Sequence, residues 1–173
     1  KIGKGMFATV YRETTGKQRV FSVVDAGVYD KEIAAVAHEN EPRNPHLPRV
    51  TTFGILTDDR RVYEMPFYDV PFRVANASPE ARSAFTALRK CIGGIYPTSI
   101  DERGYDIAGR KMECIEAASG RIPPKLADAL RQLYDTSANY GDEYVFEFSP
   151  RNVATDDRGN LVLLDVLFSR ENV

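Results

Sequence analysis

The chain has 173 residues, a formal net charge of −2 and 43% hydrophobic residues, which suits one domain or two small lobes and gives no general attraction to nucleic acid or an anionic membrane. Two cysteines, Cys91 and Cys114, stand in no metal-ligand spacing, and no apolar run approaches the roughly 18 residues of a membrane span. With no signal peptide visible, a cytoplasmic protein with reduced thiols is expected, with no nucleic acid or membrane as partner, and the opening on Lys1 leads us to expect residues before it.

The first third reads as strands. Met6 to Tyr11 and Arg19 to Val24 are short β-type runs joined by a turn at Thr14-Thr15-Gly16-Lys17. A helix starting near Tyr29 or Asp30 carries Ile33, Val36 and Ala37 on one face, and Pro42 and Pro45 end it. Two more strands follow, Arg49 to Ile55 and Arg61 to Phe67, with a hairpin connection at Leu56 to Arg60. The character changes between Tyr68 and Ala77, which divides a β-rich part, 1–68, from a mostly helical part, 69–173. Ser78-Pro79-Glu80 is a capped helix start, with Phe85, Leu88 and Ile92 on one face and Gly93-Gly94 as the stop. Residues 94–122 carry no clear pattern, apart from helical character within Ile107 to Ala118. Pro123-Pro124 opens a stronger helix with Leu126, Leu130, Leu133 and Tyr134 in helical spacing. The chain closes on a β hairpin around Asp156-Asp157-Arg158-Gly159-Asn160.

That hairpin brackets two oxygen-bearing side chains. Asn152 precedes its first strand, and Asp165, thirteen residues later, ends its second. An amide oxygen and a carboxylate are hard donors suited to Mg²⁺, which keeps several waters. Asn and Asp are also ordinary turn residues, so the hairpin read alone is equally well two turn caps. At the other end, KIGKGMFATVY nearly fits G-x-G-x-x-G-x-V, with Gly3, Gly5 and Val10 in place and Ala8 at the third glycine. Such a loop is either an ordinary β turn or a backbone that can approach a triphosphate closely.

Together the two ends resemble the signature set of protein kinases. Gly3 to Tyr11 resembles the glycine-rich loop, with Phe7 at its tip, and Glu32 in KEIAAV stands where the kinase helix glutamate belongs. FEFSPRN resembles the catalytic loop, and LLDVLF the metal-binding strand end that usually reads D-F-G. Only eight residues follow Asp165, and this ending resembles that of the short early serine/threonine kinases of tailed bacteriophages. The resemblance implies an α+β, two-lobed kinase-like fold, with a β-rich lobe bearing one helix and a reduced helical lobe carrying the hairpin. It implies ATP and Mg²⁺ as cofactors, a host protein as substrate or target, and host cytoplasm as location. Asn152 and Asp165 would hold metal, Glu147 would orient the substrate hydroxyl, and Gly3, Gly5, Ala8 and Val10 would cover the phosphates. Met65, with Tyr63, would line the adenine side.

Three positions depart from the pattern. Ser22, in RVFSVV, falls where the phosphate-gripping lysine is expected, and a hydroxyl supplies no charge. Of Lys4, Lys17 and Lys31, Lys4 is the favoured substitute; Lys31 adjoins Glu32 on a different helix face. Glu147 replaces the catalytic aspartate, a change of about 1 Å in carboxylate position that can slow a reaction by roughly 10²-fold. Val166 and Leu167 replace the Phe-Gly after Asp165. Three readings follow: an impaired phage-type serine/threonine kinase, a pseudokinase that binds a host protein, and a small-molecule phosphotransferase. The last usually has a histidine or glycine near the catalytic aspartate, which FEFSPRN lacks. His38 and His46 have no partners in ligand spacing, so they are not expected to bind metal.

Overall fold

Short alternating runs at the N-terminus build a five-stranded antiparallel sheet, seen in a computed structural model that describes residues 1–14, 19–68, 70, 72–96, 98–99, 101–118, 120–141 and 143–170. The strands are β1 (Gly3–Lys4), β2 (Ala8–Arg12), β3 (Arg19–Val24), β4 (Thr51–Ile55) and β5 (Arg61–Pro66), in spatial order β1-β2-β3-β5-β4. The strand expected over Met6 to Tyr11 is β2 alone, which starts at Ala8; β1 precedes it as a strand not expected from the sequence, with the chain turning at Gly5-Met6-Phe7. Most of the expected Thr14-Thr15-Gly16-Lys17 turn lies outside the described residues.

In β3 the period-two alternation buries Val20, Ser22 and Val24. The opposite face carries Arg19, which pairs with Glu13 and Glu64, and Phe21, edge-on to the exposed Phe53 at 5.1 Å between centroids. Against the buried face lies α1 (Asp30–Asn40), through Ile33, Ala34, Ala35 and Ala37. Val36, expected on that face, is only half-buried.

Among the described residues the second part holds three α-helices, α2 (Pro79–Ile92), α3 (Gly104–Ala117) and α4 (Pro124–Ser137). The expected cap of α2 is formed: Ser78 Oγ accepts from the Ala81 N–H at 3.1 Å, with Pro79 in the first turn. The same hydroxyl donates to the Gly159 carbonyl at 2.9 Å and so fastens α2 to the final hairpin. Gly159 has φ 82°, and a Cβ there would lie 3.2 Å from Ser78 Cβ, so turn and cap both favour glycine. Helix α3 occupies the stretch where the sequence showed only partial helical character. Its first residue, Gly104, passes so close to the Glu143 backbone that a Cβ would overlap it, and the sequence alone makes such a glycine look like a breaker.

The closing segments are β6 (Tyr144–Phe146), β7 (Val153–Thr155), β8 (Leu161–Leu163) and β9 (Leu167–Ser169). β7 and β8 form the expected hairpin, while β9 returns to pair antiparallel with β6, Phe146 opposite Leu167. One hydrophobic cluster runs from Val20 and Ile33 through Leu88, Leu126 and Leu130 to Leu161 and Leu163, across the boundary expected between Tyr68 and Ala77. The loop after α1 fixes the hairpin beneath the sheet. His46 Nδ1 bonds the Leu161 carbonyl at 2.7 Å, and the His46 carbonyl accepts from the Leu163 N–H at 2.9 Å. Among the described residues, no helix is long and apolar enough to cross a membrane.

Candidate functional site

The hairpin does bring Asn152 and Asp165 together. The Asn152 carbonyl accepts from the N–H groups of Leu164 at 2.9 Å and Asp165 at 3.1 Å. The Asn152 side-chain amide donates to the Glu147 carbonyl at 3.3 Å, and the Glu147 N–H donates to the Val166 carbonyl at 2.8 Å. Pairing of β6 with β9 and of β7 with β8 thus sets Glu147, Asn152 and Asp165 side by side. All three line a pocket of about 360 Å³. Gly5, Met6, Phe7 and Ala8 of the β1–β2 turn line it too, with the start of α1 and the apolar Val24, Val28 and Leu167. The turn is tied down by Gly5 N–H to Ala8 carbonyl at 2.8 Å and Asp25 N–H to Phe7 carbonyl at 2.9 Å. Gly5 has no positive φ, and a Cβ on it would make only an ordinary 3.8 Å contact.

The other expected residues do not line this pocket. Gly3 and Lys4 pair with Val10 and Thr9, and Lys4 is exposed. Val10 packs against the core from β2. Met65 is buried in that core rather than lining the pocket, and so is Tyr63. Lys17 lies outside the described residues.

Ser22 is 0% exposed, and its Oγ has no hydrogen-bond partner. Its cross-strand neighbour Tyr63 takes up Glu32 instead: the phenol donates to Glu32 Oε2 at 2.6 Å. Burial first, then this bond, push the phenol's pKa up, so the tyrosine stays a neutral donor. An orphaned buried hydroxyl carries a desolvation penalty of about 1–3 kcal/mol. Ser22→Ala is therefore expected to raise unfolding free energy by about 1 kcal/mol in denaturant titrations, without moving Glu32; a loss of stability would show that the hydroxyl has a partner.

The cation that does reach the pocket is Lys31, not Lys4. Its Nζ donates to the Leu164 carbonyl at 2.8 Å and pairs with Asp165 Oδ1 at 3.2 Å, with the lysine side chain 11% exposed and the aspartate 49%. Next to it, Asp30 Oδ1 is buried without a hydrogen-bond partner. Burial, reinforced by the Asp165 charge and opposed by Lys31, lifts the Asp30 carboxyl to about 7. A second lysine, Lys111 of α3, donates to the Phe146 carbonyl at 2.7 Å. Burial lowers its pKa, and the nearby Glu147 charge opposes that shift.

Asp30 and Lys111 were missed from sequence, and Lys31 was weighed there but set behind Lys4. Both lysines left a trace. Lys31 sits in the first turn of α1 between two acids, and Lys111 interrupts the otherwise apolar stripe Ile107, Ala108, Met112, Ile115. A cation at a core-facing position is costly unless it has a partner, which is the usable signal.

Among the described residues no group of three or more His, Cys, Asp and Glu side chains is arranged to hold a metal. The expected metal ligands, Asp165 and Asn152, are one carboxylate and one amide, a sparse oxygen set that fits Mg²⁺ retaining its waters. The pocket's electrostatics are mixed: carboxylates at positions 30, 147 and 165 and the ammonium of Lys31. No protein-family model matches the sequence, and no curated protein matches it as a relative.

Proposed function

We propose that this pocket binds Mg²⁺-ATP and that the chain is a compact kinase-like phosphotransferase of the bacteriophage serine/threonine type, acting on a host protein. The observation that carries the reading is the placement of Asn152 and Asp165 in one pocket facing the Gly5–Ala8 turn. The helix after the third strand, bearing Glu32, and the two-part architecture support it as well. In this reading Asn152 and Asp165 hold the metal, which when bound offsets charge on the phosphates. The Gly5–Ala8 turn approaches the phosphates, and Lys31 supplies the cation that Ser22 lacks. Glu147, exposed at the pocket, orients the attacking hydroxyl of a serine or threonine and accepts its proton.

The binding-module alternative has its own support. Glu32 is satisfied by a neutral tyrosine, and Ser22 offers no charge, so part of the usual phosphate clamp is absent. Incubation with γ-labelled ATP, Mg²⁺ and a serine-rich protein substrate separates the two. The kinase reading expects slow, Mg²⁺-dependent transfer that Glu147→Asp accelerates by about tenfold or more, since the carboxylate returns by about 1 Å to the usual reach. Nucleotide binding with no transfer in either form would leave the pseudokinase reading standing.

A further inference from the structure

A second groove, of about 910 Å³, runs between α2 and α3 on residues the nucleotide pocket does not use. Arg82 and Lys90 line it from α2, eight residues apart, or roughly 12 Å along the helix axis. Arg121, just beyond α3, lines it as well, and all three cations are exposed. Small side chains, Ala87, Cys91, Cys114 and Ala117, supply the apolar part. Among the described residues no carboxylate lines the groove, although the chain as a whole is net negative at −2. The Thr86 hydroxyl is already used, donating to the Arg82 carbonyl at 2.8 Å, so polar recognition falls to the three cations and the exposed Ser83 hydroxyl.

We propose that this groove docks an acidic peptide segment of a protein partner, with carboxylates against Arg82, Lys90 and Arg121 and small apolar side chains against the alanines and cysteines. Charge complementarity selects the class of partner. Cations spread over about 12 Å exceed the span of a single phosphate group. No aromatic side chain lines the groove to stack a base, and three cations on a net-negative chain make a poor track for a nucleic-acid backbone. The inference does not rest on the nucleotide reading, because none of its residues serves that pocket.

The test is fluorescence anisotropy with a labelled amphipathic peptide of glutamate, alanine and leucine, beside the same peptide with lysine for glutamate and a labelled oligothymidylate. The glutamate peptide is expected to bind, more weakly as salt rises. Arg82→Glu combined with Lys90→Glu should weaken it by about tenfold or more, both side chains being exposed; the double variant gives up the 3.4 Å bond from Arg82 to the Ala77 carbonyl. Arg121→Glu, outside both helices, repeats the test should the double variant fold poorly. The bound peptide should also slow alkylation of the exposed Cys114 by iodoacetamide. No binding, equal binding of the lysine peptide, tighter binding of the oligothymidylate, or unchanged affinity in the folded variants would each overturn the proposal.

Discussion

Asp30→Asn is expected to be more stable than the parent at pH 8, by on the order of 2–4 kcal/mol, and nearly indistinguishable from it at pH 4. The cause is a half-buried carboxyl at the first residue of α1, one oxygen of which is buried without a partner. A helix N-terminus ordinarily favours a carboxylate by about 0.3–1 kcal/mol. Here burial outweighs that, with the Asp165 charge adding to it and Lys31 opposing it, and the folded-state pKa rises from 3.8 to about 7. Because the folded pKa lies above the unfolded one, the folded state binds the proton more tightly. The stabilisation from that proton is complete below about pH 4 and disappears as the pH rises through 7. Asparagine keeps the shape without the charge, so its stability should not follow this decline. Thermal melts of both proteins between pH 4 and pH 8 decide it. Each kcal/mol is worth about 2–4 °C at this chain length, so the gap at pH 8 should reach several degrees. Parallel curves for the two proteins would show that Asp30 is charged and satisfied in the folded state.

Lys31→Met is expected to weaken ATP binding by about 10- to 100-fold while leaving adenosine binding nearly unchanged. The ammonium bonds the Leu164 carbonyl and pairs with Asp165 at the pocket wall, so it is placed to meet phosphate as well as carboxylate. A hydrogen bond to a charged group is worth about 1.5–3 kcal/mol, which sets the size of the effect. Methionine retains most of the side chain's apolar length. Isothermal titration with ATP and with adenosine gives the comparison. Equal losses for the two ligands would mean that Lys31 shapes the pocket rather than contacting phosphate, and no loss would return the cation's role to another residue.

The α+β class and the order of elements were legible because their signals are local. The alternation of RVFSVV, the Ser78-Pro79 cap and the leucine spacing of α4 each decide a segment without help from elsewhere. Helix α3 was only partly legible because Gly104 answers to a distant backbone at Glu143, and no local pattern records that approach. The return of β9 onto β6 is likewise long-range, since Leu167 gains its partner Phe146 only when the hairpin has folded between them. That Asn152 and Asp165 come together was legible because their thirteen-residue separation matches a hairpin. Lys31 ranked below Lys4 because it lies on a different helix face from Glu32, but the structure turns Glu32 to Tyr63 and Lys31 to Asp165, so facing away from Glu32 does not take the lysine out of the pocket. Met65 was placed at the adenine side by the kinase resemblance, while its strand position read as ordinary core; it packs in the core and does not line the pocket.

Titration calorimetry of ATP in the presence and absence of Mg²⁺, with the parent chain, Asn152→Ala and Asp165→Asn, tests the central claim most directly. The account predicts saturable binding that requires Mg²⁺ and falls by about 100-fold or more in Asp165→Asn, with a smaller loss in Asn152→Ala. Binding that ignores Mg²⁺, binding that survives both substitutions, or no binding by the parent chain would contradict it.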